Sequence, residues 1–321
     1  MPEGVRRVDG RATRLPDAAA ADLVLDSVPA LRGRERTLTQ LSGGSLNRSY
    51  RVSMAEGEQY VARFVATTAP LPAIDRDAEF ANARLAAEAG VGPRVIDHRP
   101  DAGLMLFEWI NGTSLTAEDV ARPECLTRIA QLCRTLHAGP RFAGDFDLFT
   151  TRRRYLAIAH EQGCRIPAGY VDLESTAARI EDVLRDTAPA TVPCHNDLVA
   201  ENVIEGGERL WFIDYEYSAN ADPCYELGNL SSAAELDGEL RAHLVTAYLG
   251  HPCAQVAARV QLYGVLCDYT WTLWAAIHDA TADSDIDFSQ WGPQRYARAR
   301  GALRSSGLSA VLDAAAGPGP H

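Results

Sequence analysis

Between about residues 36 and 108 the chain alternates apolar and polar positions in short runs; beyond that its apolar residues recur three and four apart. The runs "RTLTQLSG", "RSYRVSM" and "QYVARFVA" read as strands. Their linkers, "GGSLN" and "AEGE", suit successive hairpins of an antiparallel sheet. Ahead of them "DAAAADLVLDSV" reads as a short helix. "DRDAEFANARLAAEAG" predicts a helix with Asp75 as N-cap and Gly90 at the C′ position. "PRVIDH" and "GLMLFEWI" predict two more strands, and Asn111-Gly112 ends the pattern. Helical spacing then dominates to about residue 190, as in "PECLTRIAQLCRTLHAG" and "DLESTAARIEDVLRD". A strand, "RLWFIDYEY", interrupts it before helices resume, and the tail "AAAGPGPH" reads as disordered. A strand-rich first third and a helical remainder predict an α+β chain of two lobes, 1–108 and 109–321, with a cleft between them.

The composition narrows the partners. With 321 residues, 46% of them hydrophobic, the chain can bury a sizeable core. A net charge of -12 argues against nucleic acid and suits a cationic small molecule. No apolar run approaches the length of a membrane span, and "MPEGVRRVDGRATRLPD" lacks the core of a signal peptide; a cytoplasmic protein, monomer or homodimer, is expected. The seven cysteines are never spaced CxxC and read as reduced, mostly buried thiols rather than a zinc site or disulfide frame. All 31 basic residues are arginine. The absence of lysine excludes a GxxxxGK[ST] phosphate loop and lysine Schiff-base chemistry, so any phosphate must be held by arginine and backbone amides.

The densest polar cluster is "PCHNDLVAENVI", which gathers His195, Asn196, Asp197 and Asn202. Twelve residues after Asn202, the apolar strand "LWFI" delivers Asp214, with Glu216 two positions later on the same face. Phosphoryl transfer from ATP needs this inventory: one carboxylate to accept the hydroxyl proton, and an amide with one or two carboxylates to hold Mg2+. An Asx-rich turn before a buried strand is the plainer alternative, and the D-x4-N spacing followed by D-x-E weighs against it.

"HNDL…N" followed by "IDYEYS" resembles the choline/ethanolamine kinase branch of the aminoglycoside phosphotransferase superfamily, from about residue 38 to about residue 303. The resemblance implies a protein-kinase-like bilobal fold, with a small antiparallel-sheet N-lobe covering the nucleotide and a larger, mostly helical C-lobe. It makes Asp197 the catalytic base and assigns Asn202 and Asp214 to Mg2+. Glu216 would support the metal or the substrate amine, and His195 and Asn196 would shape the loop. "LSGGSLNRSYRV" resembles the nucleotide-covering hairpin, with Gly43, Gly44 and Asn47 at the phosphates. Arg63 stands where a protein kinase has its strand lysine, facing Glu79 of the following helix, and an arginine there can bridge phosphate and carboxylate. A surface ion pair is the alternative. Backbone near Glu108 to Ile110 would hold adenine.

In "YTWTLWAAIHDATADSDIDF", Trp271 and Trp274 lie three apart on one helix face, where aromatic rings attract a quaternary ammonium. The family uses such a W-x-x-W helix, with Phe288 and Tyr217 as further walls; two tryptophans filling a helical core is the other reading. The sequence departs from the family at Ala233, where an acidic residue is expected near the amine, with Glu235 two positions on. Glu226 replaces an aspartate, and a long loop is expected between Phe288 and Tyr296. Missing a carboxylate harms a primary ammonium more than a trimethylammonium. The reading is therefore a kinase acting on a small-molecule acceptor, choline first. Ethanolamine, an aminoglycoside or another hydroxylated natural product is the alternative acceptor, and a nucleotide-binding pseudokinase the alternative class.

Overall fold

The computed structural model describes residues 15–41, 47–65, 74–281 and 288–317. The chain divides into two units: residues up to 73 with 95–109, and 74–94 with residues 110 onward.

The first unit is a helix on a sheet. Helix α1 (Ala18–Leu25) starts at Asp17, whose carboxylate accepts from the Ala20 N–H. Strands β1 (Arg36–Gln40), β2 (Asn47–Met54), β3 (Gln59–Val65), β4 (Val95–Arg99) and β5 (Leu104–Glu108) form an antiparallel sheet in the order β1-β2-β3-β5-β4. Tyr50 lies opposite Ala62, and Ala62 opposite Leu106, so the two-residue period gathers one apolar face. That face buries Tyr50, Val52, Phe64 and Leu106 against Ala21, Leu25, Val28 and Leu31. Each large side chain buried this way contributes about 1.5–3 kcal/mol. Arg63 alternates to the other face, in register with Ser49 and Met105.

The second unit opens with α2 (Arg76–Glu88), capped by Asp75 as expected, with Gly90 left-handed just past its end (φ 73°). A single cut after Glu108 would leave this helix with the sheet; instead it belongs to the helical unit. Its buried Asn82 donates to the Ser218 carbonyl (2.9 Å) and accepts from the Ala143 N–H (2.7 Å).

The rest is β6 (Thr113–Ser114), α3 (Ala117–Val120), α4 (Pro123–His137), α5 (Leu148–Glu161), α6 (Glu174–Asp186), β7 (Val192–Cys194), β8 (Val203–Gly206), β9 (Arg209–Phe212) and β10 (Ala219–Ala221), then α7 (Pro223–Ala233), α8 (Gly238–Leu249), α9 (Ala254–Thr281), α10 (Phe288–Leu303) and α11 (Leu308–Ala315). Two small sheets, β10-β7 and β6-β8-β9, carry the polar loops.

Helix α9, 28 residues long, is the spine of this unit. Helix α7 crosses it at Gly228, where a Cβ would stand 2.7 Å from the Tyr263 Cβ and 2.8 Å from the Val260 carbonyl. A buried ion pair, Asp222 with Arg259, ties the start of α7 to α9, and Tyr263 donates to the same carboxylate at 3.0 Å.

Two expectations are corrected. No loop separates Phe288 from Tyr296: that stretch is the first half of α10. Gly292 within it serves packing, since a Cβ would lie 2.8 Å from the Ala275 Cβ. Nor is the start of the tail disordered, because Ala314 and Ala315 complete α11 and Ala315 is fully buried; residues 318–321 lie outside the described residues. Among the described residues no helix is long and apolar enough to cross a membrane, and all seven cysteines are free.

Candidate active site

The polar cluster follows directly on β7 and is pinned on all sides. His195 is fully buried, and burial holds its imidazole below the ordinary histidine value. Neutral, it donates from Nε2 to the Ile213 carbonyl at 2.8 Å, leaving Nδ1 to accept from the Asp197 N–H at 3.4 Å. Asn196 takes a left-handed conformation (φ 67°) and donates from its side chain to the carbonyls of Tyr217 (3.0 Å) and Ala219 (3.3 Å). Its N–H is held by Glu226 at 3.2 Å, and its carbonyl accepts from the Tyr225 hydroxyl at 2.9 Å. Asn202 then reaches back: Nδ2 donates to the backbone carbonyl of Asp197 at 2.9 Å and to its carboxylate at 3.2 Å. The polar residues are thus bonded to one another and to distant backbone, which is what makes burying them tolerable.

The second acidic segment is stitched to the first. The Ile213 N–H donates to the Asn202 carbonyl at 2.9 Å, so the end of β9 runs alongside the loop. Asp214 follows with φ 68°, a conformation costly for a residue with a side chain. Glu216 accepts from Arg76 at 3.2 Å, and the same guanidinium holds Glu79 at 2.6 Å. Burial and then the charge of Glu216 push the Asp197 carboxyl up to about 7, against the opposing pull of Arg295 and Asn202. A carboxylate poised near neutrality suits a general base.

The aromatic residues join on through Tyr217. Its hydroxyl accepts from the Trp274 indole N–H at 3.3 Å, and its ring stands edge-on to Trp271, centroids 6.2 Å apart. Phe288 meets Trp274 edge-on at 5.3 Å. The two tryptophans differ: Trp274 is half-buried, whereas Trp271 is 7% exposed and its indole N–H is fixed by Asn229 at 3.0 Å.

The structure therefore brings together Asp197, Asn202, Asp214, Glu216, Tyr217, Trp271, Trp274 and Phe288 in the second unit. Of the residues expected at the nucleotide, Asn47, Arg63 and Glu108 lie in the first unit, at the start of β2, in β3 and at the end of β5. Arg63 is buried there. Glu79 and Ile110 fall in the second unit, and Gly43 and Gly44 lie outside the described residues.

Several side chains at the site carry no sequence signal. Arg76 bridges two carboxylates and Arg295 acts on Asp197 through its charge, whereas Glu226, which holds the loop, stands where the family resemblance implies an aspartate. Tyr155 of α5 stands 6.3 Å from Trp271, within the field of Asp197 and Glu216. His278, fully buried and one turn after Trp274, lies 4.0 Å from it ring to ring. Glu235 is engaged elsewhere, with Arg298 at 3.0 Å, so it does not stand in for the acid missing at Ala233.

Comparison with known proteins identifies the family and the fold. Residues 37–263 match the model of the phosphotransferase enzyme family. The chain is similar to a choline/ethanolamine kinase family protein from Mesorhizobium loti, with 30% identity and a TM-score of 0.80 over 92% of this chain and 98% of that one. It also resembles the choline kinase LicA from Streptococcus pneumoniae, with 26% identity and a TM-score of 0.74 over 88% of this chain and 98% of that one. The protein LicA of Haemophilus influenzae is 24% identical over 258 residues, 77% of this chain and 75% of its own length. The bilobal, kinase-like fold expected from the sequence is the fold observed. The chain belongs to the phosphotransferase enzyme family, in its choline/ethanolamine kinase-like branch.

Proposed function

We propose that this protein is an ATP-dependent kinase that phosphorylates the hydroxyl of choline. The observation that carries the reading is the linkage of Asp197, through Asn202 and the Asp214–Tyr217 segment, to the aromatic group around Trp274. A base and a cation-binding surface are then joined through one short segment ending at Tyr217. Choline presents both complements, a hydroxyl and a trimethylammonium that needs no hydrogen-bond acceptor. Ala233, in place of an acid, agrees with such a headgroup.

In the proposed reaction Asp197 accepts the hydroxyl proton as the acceptor oxygen bonds to the γ-phosphorus and ADP leaves. Asn202 holds the Asp197 carboxylate in place, and Arg295 moderates its basicity. Positioning and charge neutralisation supply most of the acceleration in such a transfer. The donor set of Asn202, Asp214 and Glu216 is all hard oxygen and fits Mg2+. Bound there, Mg2+ would neutralise charge on the triphosphate. For the nucleotide, the proposal keeps Arg63 on the phosphates and the backbone of Glu108 to Ile110 at adenine.

ADP release measured with Mg2+ and a panel of choline, ethanolamine, their methylated intermediates and aminoglycosides tests the proposal. Choline should turn over with the highest kcat/KM. Faster turnover of ethanolamine or an aminoglycoside would reassign the acceptor, and nucleotide binding without any turnover would make the protein a pseudokinase.

A further inference from the structure

Three chemistry-bearing side chains meet beside the polar loop, and the proposed phosphoryl transfer uses none of them. His137 ends α4, Cys194 ends β7 and Glu226 lies in the first turn of α7. All three are buried, Cys194 and Glu226 completely. His137 Nε2 stands 3.6 Å from the Cys194 sulfur and 3.6 Å from Glu226 Oε1, and the three donor atoms lie within 4.8 Å of one another. Oε2 of Glu226 accepts from the Asn196 N–H, but Oε1 has no hydrogen-bond partner. The other ring nitrogen of His137 is fixed by the Tyr248 hydroxyl at 2.8 Å.

We propose that His137, Cys194 and Glu226 form a binding site for a divalent cation of the zinc class. A tetrahedral zinc bound to nitrogen at about 2.0 Å and thiolate at about 2.3 Å separates those donors by about 3.5 Å. The nitrogen–sulfur and nitrogen–oxygen distances here, 3.6 Å each, are close to that spacing. Thiolate with imidazole selects zinc over magnesium. Tyr248 is the outer partner that orients a ligating histidine. A buried carboxylate with an open oxygen is costly unless a cation meets it.

Binding displaces the Cys194 proton to solvent; without a cation, burial keeps that thiol protonated. Cys133, one turn before His137 on α4 and also buried, is a further thiol in electrostatic reach of Glu226 and Cys194. The ion would join α4, β7 and α7 where Glu226 holds Asn196, and so brace the entry to the loop.

The test is a Co2+ titration of the full chain, stripped with a chelator under reducing conditions. One equivalent of Co2+ should produce a thiolate-to-cobalt charge-transfer band that Zn2+ removes and Mg2+ does not, and Zn2+ should raise the melting temperature. Tyr248→Phe should keep the fold and weaken Zn2+ binding about 10–100-fold. Cys194→Ser should lose the band. A band that survives in Cys194→Ser, or wild-type protein with neither band nor Zn2+-dependent melting shift, would overturn the site and leave the cluster as hydrogen-bonded packing.

Discussion

At the scale of single residues, Asp197 is the decisive group. As the proposed base it is active only when ionised, so kcat/KM for the acceptor should fall about tenfold per pH unit below its value of about 7. A profile flat from pH 8 to pH 5 would remove it from that role. Asp197→Asn should lower kcat by about 10³-fold or more, since a positioned base is worth about 10²–10⁴. The same change should stabilise the unliganded protein. The carboxyl titrates near 7 when folded and at an ordinary 3.8 otherwise, so the folded state binds more protons between these values. Its ionisation costs stability as pH rises from about 4 to about 7. The uncharged amide of the variant escapes that cost, so the gain in melting temperature should be complete by pH 8 and absent near pH 4. Asp197, Asn202, Asp214 and Glu216, the proposed site, were legible as a group because they crowd into two short polar stretches. Arg76, Tyr155 and Arg295 were not: each reaches the site only through folding, and alone each reads as an ordinary surface or core residue.

At the scale of elements, α9 carries the proposed acceptor specificity, and its two tryptophans should respond differently to truncation. Trp274→Ala should raise KM for choline about 2–30-fold, the equivalent of a cation–π contact of about 0.5–2 kcal/mol, with kcat little changed. Trp271→Ala should in addition cost about 3–5 kcal/mol of stability, because that ring is buried and bonded to Asn229. Steady-state kinetics beside denaturation curves would separate the two; equal kinetics for Trp274→Ala and wild type would make the pair simple core. Hairpins, caps and amphipathic helices were readable locally, down to Asp75 and Gly90. The start of α10 was not, because the loop expected between Phe288 and Tyr296 came from counting against the family, which says nothing of packing. Here Gly292 instead answers to the side chain of Ala275 on another helix. The cluster of His137, Cys194 and Glu226 was invisible for the same reason: its members come from three elements and share no spacing.

At the scale of the whole molecule, the two units each carry apolar packing of their own. Leu106 is fully buried in the sheet face that α1 covers, so Leu106→Ala should destabilise the first unit by about 2–5 kcal/mol. Far-UV circular dichroism and fluorescence during denaturation should then diverge, since four of the five tryptophans, Trp211, Trp271, Trp274 and Trp291, belong to the second unit and only Trp109 to the first. Coincident transitions in that variant would mean the chain melts as one.

Asn196 and Asp214 share an awkward backbone geometry that glycine would adopt freely. A lineage released from the reaction gains by relaxing those two positions first, long before its core drifts. Glycine at both, in an otherwise well-preserved copy of this chain, would therefore mark a duplicate that has stopped working as a catalyst.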